Sequence, residues 1–236
     1  MSITIKKHIP NTITSCNLLS GCVATAMAFG GEWSSALLFI IIGAVFDFFD
    51  GMSARLLHVS SPIGKELDSL ADDVTFGVAP ATMVWSLLYT LPYPSCMEGL
   101  RGVLPYVAFV MAAFSALRLA KFNLDERQTT SFIGLPTPAN ALFWGSLIVG
   151  AGTRLQQLSW SWILVFVLIA LSCWIMVSEV PMFALKFKQW GWKGNEVRYV
   201  FLLSCVPLLA FFGISAFAII IVWYVVLSVI VRNKSI

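Results

Sequence analysis

Asp47 and Asp50 close one long apolar run of this chain, and Asp68 and Asp72 open the next. The local sequences are Phe46-Asp47-Phe48-Phe49-Asp50-Gly51-Met52-Ser53-Ala54-Arg55 and Gly64-Lys65-Glu66-Leu67-Asp68-Ser69-Leu70-Ala71-Asp72-Asp73. On a helix, positions 47, 50, 51 and 54 share one face, and positions 68 and 72 share another. A short polar link, residues 58–62, makes the two helices antiparallel neighbours. Counted back from that link at 1.5 Å per residue, Asp50 and Asp68 fall at similar depth, about 10–15 Å along their helices. The four carboxylates are therefore expected to converge. An unpaired carboxylate inside a bilayer costs about 2.5–3.5 kcal/mol on insertion scales, and clustering like charges adds repulsion. Arg55 alone cannot balance four of them, whereas divalent cations can. An all-oxygen donor set favours Mg²⁺ or Mn²⁺ over zinc. Two such ions held by shared carboxylates suit displacement at phosphorus. Gly51 and Ala54, small and on the same face, leave room for a bulky ligand, and Arg55 offers a planar donor for phosphate. Asp73 and Glu66 point off the shared faces and read as accessory or interfacial.

The elements that position these residues must be membrane helices. The 236 residues are 58% hydrophobic and only 11% charged, with a mean hydropathy of +0.85. A soluble domain carries about 25% charged residues, so the bilayer is the expected solvent. The basic start of the chain has no cleavage site, which predicts that the first apolar segment is retained. Eight apolar segments are expected near 11–29, 34–57, 63–90, 104–122, 137–152, 159–180, 199–212 and 214–231. The last two are divided only by Phe211-Phe212-Gly213-Ile214, where one long kinked span is the competing reading. The fold class is thus all-α, a polytopic transmembrane bundle forming one domain over residues 1–236. With both termini cytoplasmic, the inner segments hold Lys6, Lys7, Arg55, Lys65, Arg118, Lys121, Arg127, Lys186, Lys188, Lys193, Arg198, Arg232 and Lys234. Only Arg101 and Arg154 of the 15 Lys and Arg residues fall outside. That asymmetry is the one the positive-inside rule expects. The five cysteines have no ligand-like spacing, and the net charge of +3 with no basic run argues against nucleic acid.

The complete spacing is D-x2-D-G-x2-A-R-x8-G-x3-D-x3-D, met by Asp47, Asp50, Gly51, Ala54, Arg55, Gly64, Asp68 and Asp72. It resembles the signature of the CDP-alcohol phosphatidyltransferase family. The resemblance implies a helical membrane homodimer in which each protomer holds its own two-metal site. It implies that Asp47, Asp50, Asp68 and Asp72 are metal ligands, with Asp72 also the general base. It further implies that Gly51, Ala54, Arg55 and Gly64 bind the CDP-lipid.

Further stretches are similar to the serine-accepting, integral-membrane members of that family. They are Pro10-Asn11 through Thr14 and Asn17, residues 71–80, residues 117–123 and residues 132–139. They favour transfer of a phosphatidyl group from CDP-diacylglycerol to L-serine in a prokaryotic inner membrane, with the site facing the cytoplasm. The final third of the chain, residues 141–236, contributes only a hydrophobic pattern.

Asn11, Thr14 and Asn17, at i, i+3 and i+6, are expected to line the nucleotide entrance, although helix capping explains Asn11 equally well. Arg118 and Lys121 are candidates for the acceptor carboxylate, against an alternative of interfacial anchoring. Asn123 is a candidate to orient either substrate, or merely ends a helix. Two other readings compete. One keeps the reaction with glycerol 3-phosphate or inositol phosphate as acceptor, anions that call for a stronger basic cluster than Arg118, Lys121 and Arg127. The other is a cation transporter, disfavoured because all four carboxylates gather in one half of the membrane.

Overall fold

The computed structural model describes residues 3–125, 132–183, 189, 191–192 and 194–231. Arg127, Lys186, Lys188, Lys193, Arg232 and Lys234 lie outside the described residues, as do the side chains of Lys6 and Lys7.

Each expected apolar segment becomes helix. Helix α1 (Ile3–Phe29) turns at Gly30-Gly31 into α2 (Trp33–Leu57), and the two pack along their whole lengths. α2 ends on His58 in the left-handed conformation (φ 51°), where the His58 and Val59 amides return to the carbonyls of the last turn. Ser61 then caps α3 (Pro62–Asp72), its Oγ accepting from the Gly64 amide at 3.0 Å, with Pro62 at the first helical position. The helix continues as a π-helical segment, Asp73–Val78, and as α4 (Ala79–Thr90). After a 3₁₀ turn, a second one at Leu104–Phe109 leads into α5 (Val110–Leu124). α6 (Thr137–Leu155) and α7 (Ser161–Val177) follow, then α8 (Glu196–Phe212) and α9 (Ala216–Val231).

The bundle has an apolar core threaded with polar side chains and an apolar surface. Asn17, Thr75, Thr82, Ser115, Asn140 and Ser146 are buried, while Leu38, Phe48, Leu203, Phe211 and Ile230 are exposed. That mixture is expected where lipid covers the surface and polar side chains bond between helices. Four helical stretches are long and apolar enough to cross a membrane among the described residues: His8–Phe29, Trp33–Leu57, Leu104–Leu124 and Glu196–Val231. The protein is therefore an integral membrane protein, with eight helical runs but not eight stretches that qualify as spans. The run from residue 62 to 90 carries Glu66, Asp68, Asp72 and Asp73, and neighbouring helices bury much of its later part, from Ala71 to Leu88.

Residues 196–231 are a hairpin rather than one kinked span. Trp223 Nε1 donates to Ser204 Oγ at 3.0 Å, and the Phe201 and Tyr224 rings lie 5.9 Å apart. On a continuous helix residues 204 and 223 would stand about 28 Å apart. Gly213, at φ 54°, makes the reversal. A departure from all-helical structure is a two-residue antiparallel ribbon, β1 (Phe132–Ile133) with β2 (Pro181–Met182).

Candidate active site

The carboxylates of α2 and α3 meet. Oxygens of Asp47, Asp50 and Asp68 all lie within 4.8 Å of one another. Asp72, one helical turn from Asp68, is held on the same side by α1. α1 holds the two ends of the cluster. Thr14 Oγ1 donates to Asp50 Oδ2 at 2.6 Å, and Asn17 Nδ2 donates to Asp72 Oδ1 at 3.1 Å. Asp68 Oδ1 is buried and has no donor. Burying an acceptor with no partner is costly, and burying several carboxylates without counter-charge more so. No ion pair reaches the cluster among the described residues. The donor set therefore fits a divalent cation: convergent carboxylate oxygens, one of them orphaned, with no sulfur or imidazole among them.

A cavity of about 260 Å³ opens beside Asp50 and Asp68. Its wall includes Asn11, Thr14, Gly51, Ala54 and Gly64, all expected from the sequence, and also Ser61 and Lys65. A Cβ on Gly51 would meet nothing closer than the Arg55 guanidinium at 3.8 Å, so this position is open toward the cavity. Gly64 is tight, since a Cβ there would come within 2.9 Å of Asn11 Oδ1. Asn17 and Arg55 do not line the cavity. Asn17 is turned to Asp72, while Arg55 is exposed beside Gly51.

The acceptor candidates separate. Arg118 and Lys121 line a second cavity of about 400 Å³ between α5 and the end of α7. Arg118 is buried, with Asp72 as its charged neighbour, while Lys121 is exposed and donates to the Val177 carbonyl at 3.4 Å. Asn123 lies outside that cavity. Its side chain donates to Ser69 Oγ at 2.7 Å and its carbonyl accepts from Lys65 Nζ at 3.1 Å, which ties α5 to α3.

Sequence reasoning gave no role to Thr75, which anchors the site from the π-helical segment. Its Oγ1 donates to the Asn17 carbonyl at 3.0 Å, and it packs where Gly21 and Gly43 leave space. A Cβ on Gly43 would lie 2.5 Å from Thr75 Cγ2 and 2.9 Å from Asn17 Oδ1. Glycines facing one threonine are the usable signal, but only once the helices are docked.

Comparison with known proteins agrees with this geometry. Residues 7–185 match the family model described as CDP-alcohol phosphatidyltransferase. A CDP-diacylglycerol–serine O-phosphatidyltransferase of Bacillus subtilis is 43% identical over 132 residues, 56% of this chain and 70% of that protein. One of Mycobacterium leprae is 35% identical over 142 residues, 57% of this chain and 44% of its own length. An archaetidylserine synthase of Methanothermobacter thermautotrophicus is 28% identical over 178 residues, 73% of this chain and 68% of that protein. The chain thus spans 44% to 70% of the length of these relatives. The converging aspartates of α2 and α3, the small-residue wall beside them and a match covering most of the chain establish that this protein belongs to the CDP-alcohol phosphatidyltransferase family.

Proposed function

We propose that the protein transfers the phosphatidyl group of CDP-diacylglycerol to the hydroxyl of L-serine, releasing CMP and forming phosphatidylserine. The observation that carries the proposal is the meeting of Asp47, Asp50 and Asp68 beside a cavity walled by Gly51, Ala54 and Gly64. That wall lets a diphosphate approach the helix backbone next to the carboxylates. The serine acceptor is supported by the activities that the bacterial relatives are named for and by the buried Arg118.

Asp47, Asp50, Asp68 and Asp72 would hold two divalent cations, Mg²⁺ or Mn²⁺, which when bound would polarise the diphosphate and stabilise charge on the departing CMP. Thr14 fixes Asp50 in its rotamer, and Asn17 fixes Asp72 through Oδ1, leaving the second oxygen of Asp72 for the serine proton. The serine oxygen forms its bond to the lipid-bearing phosphorus as the bond from that phosphorus to the CMP oxygen breaks. The hydroxyl proton passes to Asp72. Arg118, next to Asp72, orients the acceptor by its carboxylate.

Purified protein given CDP-diacylglycerol and Mn²⁺ should release CMP with L-serine and not with glycerol 3-phosphate or inositol phosphate. CMP release with glycerol 3-phosphate alone would overturn the choice of acceptor.

The same reading places the protein in a bacterial inner membrane as a homodimer, with both termini and the site on the cytoplasmic side. Thiol labelling of single cysteines placed at residues 60 and 99 checks the orientation, and only the first should react from the cytoplasm. The mass of the detergent-solubilised particle checks the dimer, which a single-chain mass would refute.

A further inference from the structure

The second cavity is lined by the guanidinium of Arg118. Arg118 is only 6% exposed, and among the described residues it makes no hydrogen bond. Its neighbours are the Phe122 ring, 5.0 Å from Cζ, and the charge of Asp72. The guanidinium lines the cavity, and its fork of donors suits a ligand with anionic oxygens at this end. Glu179 lines the same cavity and is exposed, which puts it at the mouth.

The turn that carries Glu179 is held on three sides. The Gly134 amide donates to the Val180 carbonyl at 2.9 Å, the Leu135 amide to Ile175 at 3.2 Å, and Lys121 Nζ to Val177 at 3.4 Å. Gly134 has φ 72° and lies against the Met176 carbonyl, a close approach that only glycine permits. The Gly134-Leu135 segment that follows β1 thus fixes where Glu179 stands. Among the described residues, no ion pair joins Glu179 to Arg118 or Lys121, although all three line one cavity. Asp125, the other acid in the lining, has a partner of its own.

A buried cation at one end and an acid at the mouth match a zwitterion. We propose that Glu179 receives the ammonium group of the acceptor amino acid while Arg118 holds its carboxylate, so that the cavity selects serine over anionic alcohols. This rests on the serine reading above and adds the residue that sets its selectivity. An acid at the mouth would also repel a phosphate-bearing acceptor.

The test is CMP release by the purified full-length protein with CDP-diacylglycerol and Mn²⁺. It yields KM for L-serine and inhibition constants for 3-hydroxypropanoate, which is serine without its ammonium, and for glycerol 3-phosphate. Glu179→Gln should raise KM for serine about tenfold, the worth of one charge-assisted hydrogen bond, while kcat stays within about twofold. The constant for 3-hydroxypropanoate should not change, and glycerol 3-phosphate should inhibit the variant more strongly than the wild type. Glu179→Asp should fall between the two. An unchanged KM for serine in Glu179→Gln would overturn the proposal, as would an equal rise in the serine and 3-hydroxypropanoate constants. Either result leaves transfer to serine intact. A wild-type protein that uses glycerol 3-phosphate and not serine would remove the parent reading as well.

Discussion

Asp72 differs from the other three aspartates in what surrounds it. Asp47, Asp50 and Asp68 bring their oxygens together, whereas Asp72 is held by Asn17 at one oxygen and interacts electrostatically with Arg118. A residue that ligates at one edge and takes a proton at the other needs that division. Asp72→Asn is expected to bind CDP-diacylglycerol as well as the wild type while turnover falls about 10²- to 10⁴-fold, the range for loss of a positioned base. Liponucleotide binding measured beside single-turnover CMP release separates the two effects, and wild-type turnover would remove Asp72 from the role. The aspartates were legible in the sequence because four acids in an apolar chain have no cheap structural use. Asn17 was legible only as part of a polar stripe with Asn11 and Thr14. Its turn toward Asp72 depends on how α1 docks on α3, which spacing within α1 does not encode. The tie from Asn123 to α3 was not legible for the same reason, since its partner Ser69 is 54 residues away.

At the scale of elements, the π-helical segment Asp73–Val78 sets the site. A π-helical turn adds a residue to the α-helical count, so it changes the angle at which Asp68 and Asp72 face α2 relative to α4. Nothing in Asp-Val-Thr-Phe-Gly-Val distinguishes it from an α-helix, because the cause is tertiary: Thr75 wedged between α1 and α2 opposite Gly21 and Gly43. Gly43→Ala should therefore lower stability by about 1–3 kcal/mol through overpacking, and should slow turnover by displacing Asn17 from Asp72. Gly99→Ala is the control, since a Cβ there meets nothing within 4 Å. Thermal unfolding and CMP release measured on both variants decide the matter, and equal behaviour would show that the Thr75 contact is dispensable. By contrast, the α2–α3 link was readable from residues 58–62, where Ser61 and Pro62 give a cap and a first-turn proline. The reversal at Gly213 was readable as one of two choices. The β1–β2 ribbon was not, because two-residue strands carry no periodicity.

Across the whole molecule, charge and polarity are arranged against the usual soluble order. Lipid-facing positions are apolar, the interior is lightly polar, and the acids gather where α1, α2 and α3 meet. Two cavities flank that point, one walled by small residues and one by Arg118, Lys121 and Glu179, with the charge of Asp72 felt by Arg118 at the second. Such an arrangement suits two substrates that enter separately and react at their shared boundary. Its premise is that carboxylates of α2 and α3 hold divalent ions against the diphosphate of the liponucleotide. Pulsed electron–nuclear double resonance on Mn²⁺-loaded protein tests this premise most directly. On adding CDP-diacylglycerol, a ³¹P coupling should appear on the bound Mn²⁺, and both the coupling and tight Mn²⁺ binding should be lost in Asp50→Ala and Asp68→Ala. Unaltered Mn²⁺ binding in those variants, or no phosphorus coupling in the wild type, would contradict the account.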